Sequence, residues 1–166
     1  MKLRDFRFGA IVAVALLAML SSARPLAQET AWDHTNVVYG TDDPSRQFLN
    51  IYLADTAEPA PVYFWAHSNG RTAFDVPQTQ ADTIVGEGYT LISWESQRQV
   101  YNPDHVLTGW SDAQLAFDWV RANAGTYNLD PDNIIIAGRS RGSGLSWPLA
   151  HSGHPAIKGI YMYNAL

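Results

Sequence analysis

The chain has 166 residues, 46 % hydrophobic and 16 % charged, the proportions of one ordinary globular domain with enough apolar material for a core. Sixteen acidic against eleven basic side chains give a formal charge of −5 with no basic run, which argues against a polyphosphate-binding surface and so against a nucleic-acid partner. The lack of cysteine removes disulfides, thiolate zinc sites and cysteine nucleophiles together, and no other metal-ligand spacing occurs.

The first 23 residues place Lys2, Arg4 and Arg7 ahead of an apolar run from Phe8 to Leu20, followed by small residues at Ser21 and Ala23. That is the pattern of a secretory signal peptide. A run of 13 apolar residues is shorter than the roughly 20 that span a bilayer, so the expectation is a secreted or periplasmic protein with no stable membrane anchor after cleavage. Cleavage after Ala23 removes three cations and one carboxylate and leaves 143 residues with a charge of −7. Residues 29–166 read as one domain.

HTNVVYG and QFLNIYLAD, residues 34–40 and 47–55, are β-branched and aromatic runs around the turn-forming TDDPS, and they predict a hairpin. APVYFWAHSNG (60–70) is nearly continuously apolar up to His67, as a strand buried on both faces is, and YTLISWE (89–95) repeats the pattern. Between them Ala81, Ile84 and Val85 fall at helical spacing before Gly86 and Gly88. Ser111 and Gln114 form a capping box that predicts a helix start, with Leu115, Ala116, Trp119 and Ala122 as its apolar side and Gly125 as its terminator. DPDN then predicts a turn into a strand at 133–138, SRGSGLSWPLA a helix with Leu145 and Leu149 on one face, and AIKGIYMYN a further strand. Strands alternating with helices predict an α/β fold, a mostly parallel sheet with helices on both faces. Trp65, Trp94 and Trp119 read as core.

Gly138, Arg139, Ser140, Arg141 and Gly142 make G-x-S-x-G. The spacing alone arises by chance in about 5 % of chains of this length, so its context decides. Here NIIIA precedes it as a strand and a helical pattern follows, as a serine nucleophile on a strand-to-helix turn requires. Glycines on either side permit a tight turn that side chains would block, and the turn presents the hydroxyl at a helix N-terminus, where N–H groups favour developing negative charge.

In these residues the chain resembles the α/β-hydrolase superfamily, in particular its secreted esterase and lipase branch, across residues 36–166. The resemblance rests on YGTDDPSRQFLNIYL, on PVYFWAHSNG where that branch often has a strand ending in H-G-G-G, and on the DPDNIIIAGRSRG elbow. It implies Ser140 as nucleophile, with an oxyanion hole made from the N–H of Arg141 and one or two N–H groups of Asn69 and Gly70, and no cofactor. Ser68 and Asn69 stand where the family usually has glycines. His67 reads as a histidine that organises this loop.

The family order is nucleophile, acid, histidine, but after Ser140 there is neither Asp nor Glu. His151 and His154 follow the helix that starts at the elbow, whose length carries His151 roughly 16 Å away at 1.5 Å per residue. Asp130 and Asp132 precede the strand, about 20 Å off at 3.3 Å per residue. A triad of His67 with Glu95 or Asp75 remains, but it breaks the family order. The expectation is therefore the N-terminal portion of an α/β-hydrolase, incomplete at its C-terminus, whose whole form cleaves a small-molecule carboxylic ester. A serine peptidase of the same fold acting on a peptide, or a non-catalytic hydrolase-like binding module, are the alternatives.

Overall fold

The computed structural model describes residues 30–97 and 106–164. The segment read as a signal peptide lies outside them. The hairpin forms from β1 (His34–Val38) and β2 (Phe48–Tyr52), with Val38 opposite Phe48. Then come β3 (Ala60–Ala66), α1 (Gln78–Gly86), β4 (Thr90–Trp94), α2 (Val106–Ala122), a 3-10 turn (Ala124–Thr126), β5 (Leu129–Arg139), α3 (Arg141–Ala150) and β6 (Ile157–Tyr163). Among the described residues the strands form one sheet in the order β1-β2-β4-β3-β5-β6. β2 is antiparallel to β4, while β4, β3, β5 and β6 run parallel.

The connection from β3 to β4 steps one way along the sheet, and the connection from β4 to β5 steps back across β3. Because such crossovers are right-handed, α1 is put on one face and α2 on the other. The strand residues sort accordingly. Val62, Phe64, Ile92, Trp94, Ile134 and Ile136 are buried with Ala113, Ala116 and Phe117 of α2 and Leu145 and Leu149 of α3. Trp65, Leu91 and Ala137, from the opposite face, are buried with Ala81 of α1. Phe64 lies stacked on Trp94 at 5.7 Å between ring centroids and edge-on to Phe117 at 6.4 Å. Layers of helix, sheet and helix are those of an α/β-hydrolase.

Two expectations are corrected. Ser111 and Gln114 do not cap α2, which is already helical at Val106. Ser111 Oγ donates to the Leu107 carbonyl one turn back at 3.0 Å, and Gln114 donates to Asp118 at 3.0 Å. A serine followed three residues later by glutamine also suits a helix interior, since the hydroxyl can bond the i−4 carbonyl. Tertiary contact selects that option, because Gly109, ahead of Ser111, lies against α3 so closely that a Cβ there would meet Leu145 Cδ2. The buried stripe is Ala113, Ala116, Phe117 and Val120, whereas Leu115 is exposed and Trp119 half-buried. Helix α2 ends at Ala122, and Gly125 falls within the 3-10 turn rather than at the helix end.

The second correction concerns β5, which starts at Leu129 instead of 133. Leu129 pairs with Ala60, and a register shift before the Val62–Ile134 pair absorbs the extra residues that read as a turn.

Candidate active site

Strands β3, β4 and β5 end level with one another, since Ala66 is paired with Trp94 on one side and with Gly138 on the other. The chain leaves β3 toward α1 on one face and leaves β5 toward α3 on the other. Divergent connections of this kind open a crevice at the carboxyl ends of neighbouring strands. Ser140 stands there, between the last residue of β5 and the first of α3.

Ser140 has φ 51° and ψ −119°, a conformation that costs a non-glycine residue on the order of 1–3 kcal/mol. Its surroundings hold it. The Ser140 N–H donates to the Tyr163 carbonyl at 2.9 Å, and the buried Ser143 hydroxyl donates to the Gly138 carbonyl at 2.8 Å. Gly138 and Gly142 cannot carry side chains: a Cβ on Gly138 would lie 2.8 Å from Gly142 C and Ser143 N, and one on Gly142 would land on the Ala66 carbonyl, 2.5 Å from its carbon. Ser140→Gly is accordingly expected to stabilise the fold by about 1 kcal/mol, measured as a higher urea midpoint. A lower midpoint would show that the serine is not strained.

Because Gly142 lies against Ala66 and His67, the N-terminus of α3 sits beside the loop that follows β3. That loop turns at Asn69 and Gly70, where Gly70 has φ 71° and Arg71 N–H returns to the Ser68 carbonyl at 3.2 Å. Asn69 and Gly70 are exposed, and their N–H groups donate to no acceptor among the described residues. The Arg141 N–H, at the first position of α3, has no intrahelical acceptor either. Among the described residues none of these three amides has a backbone acceptor, and the loop that carries two of them follows the stretch against which Gly142 packs.

His67 is buried and engaged on both sides. Its Nδ1 is 3.0 Å from the Ser68 carbonyl and its Nε2 is 3.0 Å from Glu95 Oε1. Both ring nitrogens therefore face a partner other than Ser140. Asp75 is not its partner; that carboxylate accepts from Thr72 N–H at 2.6 Å and Thr72 Oγ1 at 2.9 Å. His154 meets Arg121, and His151 stacks on Trp147 at the far end of α3. Among the described residues no histidine stands free beside Ser140.

Sequence reasoning offered Glu95 as one possible partner of His67 but missed the rest of a buried polar layer beneath the elbow. Glu95 is fully buried and accepts from Arg46 at 2.9 Å and from the Ser96 N–H at 3.1 Å, as well as from His67. Burial pushes its carboxyl up, but His67, Arg46 and the Ser96 amide outweigh burial and hold it below the usual glutamate range. The Arg141 side chain is buried too, with Nη2 donating to Ser96 Oγ at 2.7 Å, and burial brings its guanidinium down to about 10. Asp112 ties this layer to α2 by accepting from Gln47 at 2.9 Å and Gln97 at 3.0 Å. The one sequence signal was a glutamate directly after an apolar strand.

A cavity of about 320 Å³, lined by Trp65, His67, Ser68, Phe74 and Arg139 among others, opens on the α1 side of the loop. Among the described residues no three His, Asp or Glu side chains converge as metal ligands. The arrangement can present a hydroxyl to an electrophilic carbon and offer N–H donors to an oxygen that becomes negative.

No curated protein sequence matches the chain. Solved structures do match. A truncated form of a carbohydrate esterase from gut microbiota superposes with a TM-score of 0.60 at 24 % identity, over 72 % of this chain and 45 % of that one. Esterase 2 of Thermogutta terrifontis gives 0.64 at 18 % identity, over 83 % and 58 %. Esterase LipW of Mycobacterium marinum gives 0.56 at 22 % identity, over 71 % and 39 %. This chain therefore spans about half the length of those structures, whose likeness establishes the α/β-hydrolase fold. The sequence profile of the BD-FAE family matches residues 49–159, which run from β2 through the elbow into β6 and make up well over half of the chain. By that match the chain belongs to the BD-FAE family of α/β-hydrolases.

Proposed function

We propose that Ser140 is the nucleophile of a carboxylic ester hydrolase whose histidine base and carboxylate acid come from outside the described residues. The observation that carries this reading is the backbone of Ser140, held at φ 51° and ψ −119° between two glycines that admit no Cβ. Strain maintained by the surroundings at a serine in a crevice is an arrangement that serves chemistry at the cost of stability. Ser140 Oγ attacks the ester carbonyl, the base takes its proton, and the N–H groups of Arg141 with Asn69 or Gly70 receive the oxyanion. The base passes that proton to the alcohol as the ester C–O bond breaks, and water, deprotonated by the same base, then hydrolyses the acyl-enzyme and restores the serine. Ester is favoured over amide because the superposing structures are those of esterases.

Hydrolysis of a short-chain p-nitrophenyl ester tests the reading. Ser140→Ala should lower kcat by about a thousandfold or more relative to wild type. Equal rates for the two would remove the nucleophile and favour a binding module. The basic and apolar pattern of residues 1–23 further supports export, and a mature N-terminus at Arg24 is the readout.

A further inference from the structure

We propose that Glu95 is the positioning residue of the oxyanion loop, a buried carboxylate at the end of β4 that fastens both ends of residues 67–73. The inference rests on the reading of Ser140 and of the Asn69 and Gly70 amides given above. The loop leaves the sheet at His67, and His67 Nε2 meets Glu95 Oε1 at 3.0 Å. It rejoins the packed structure at the fully buried Ala73, whose N–H donates to the other oxygen, Oε2, at 3.4 Å. Between these anchors the chain is exposed at Asn69 and Gly70, with the 3.2 Å bond from Arg71 N–H to Ser68 as its main internal tie. Without the carboxylate nothing on β4 would set the height of those amides above the sheet.

Chemistry explains why this position carries an ionised carboxylate. Four donors converge on its two oxygens: His67 Nε2, the Arg46 guanidinium, Ser96 N–H and Ala73 N–H. An acceptor-only group satisfies all four, whereas an amide of the same shape would turn its NH₂ toward one of them. The first residue of α3, whose amide is the other expected donor, is fastened next door, because Ser96 Oγ accepts from the Arg141 side chain. Consecutive residues of one strand end thus set the loop and the elbow relative to each other. The parallel register makes this possible: Ala66 pairs with Trp94, so His67 and Glu95 are the next residues along neighbouring strands.

NMR on the protein and on Glu95→Gln decides the matter. In the wild type, His67 Nε2 should carry a proton with the ¹⁵N shift of a donor to a carboxylate. In folded Glu95→Gln that signal should move, the Ala73 amide should exchange roughly tenfold faster, and the order parameters of Asn69 and Gly70 should fall from about 0.85 toward 0.6. Asp75→Asn, in the same loop but bonded to Thr72, should leave the His67 signal in place. Ester turnover by Glu95→Gln should lose kcat by on the order of tenfold to a hundredfold with KM nearly unchanged, since the loop acts on the transition state. An unprotonated Nε2 in the wild type, which needs no variant to fold, or an unmoved loop in Glu95→Gln would overturn the clamp. If Ser140→Ala hydrolyses as fast as wild type, the nucleophile reading fails and the kinetic consequence with it, while the ring signal and the loop order still judge the clamp.

Discussion

Gly142→Val is expected to lower stability by about 3 kcal/mol, on the order of 10 °C in melting temperature, and Gly142→Ala by somewhat less. The cost is steric. A Cβ at this position meets the carbonyl of Ala66 and lies 2.7 Å from the carbonyl oxygen of His67. These are backbone atoms at the end of β3, which is held in register by β4 on one side and β5 on the other, so they cannot rotate aside as a flexible side chain would. Relief would require α3 to lift from the sheet, which uncovers Leu145 and Leu149 and carries Arg141 N–H away from the loop. Gly86 serves as the internal control, because a Cβ there meets nothing within 4 Å and Gly86→Ala should leave stability unchanged or raise it by up to about 1 kcal/mol. Equal melting temperatures for Gly142→Val and wild type would mean that α3 does not cross the end of β3.

The 143 residues from Arg24 onward are expected to self-associate through β6 and to become monomeric on Ile160→Lys. Among the described residues β6 pairs only with β5, which leaves its outer row of N–H and C=O groups without a strand partner. Ile160, Tyr161 and Tyr163 are 47 %, 52 % and 47 % exposed, and Lys158 is the strand's one charge. A long, apolar, weakly charged edge pairs readily with another chain. The opposite edge illustrates protection: β1 has five residues, begins with the exposed polar His34, Thr35 and Asn36, and is bent by a register irregularity in which Asn36 takes φ 53°. Light scattering provides the measurement. A monodisperse monomer for the wild-type chain, or an unchanged oligomer for Ile160→Lys, would show that β6 is not the sticky edge.

What the amino-acid sequence settled by itself is whatever depends on near neighbours along the chain. The continuous apolar runs of β3 and β4, the glycines spaced around Ser140 and the β-branched block before them state strand, turn and helix directly, because each is a matter of side-chain period or of room for the backbone. The resemblance drawn from those residues then agreed with the family match. Where local signals were ambiguous, packing decided. The serine-to-glutamine spacing at 111 and 114 suits a helix start and a helix interior alike, and contact of Gly109 with Leu145 selected the interior. In the polar layer under the elbow, the sequence offers Glu95 as one of two possible partners of His67, but the choice between Glu95 and Asp75 and the contact of Arg141 with Ser96 needed the tertiary fold. His67 and Glu95 are 28 residues apart, and Arg141 lies 45 from Ser96. They meet because parallel pairing brings three strand ends level, and burial there makes each charge depend on partners that only the tertiary fold delivers.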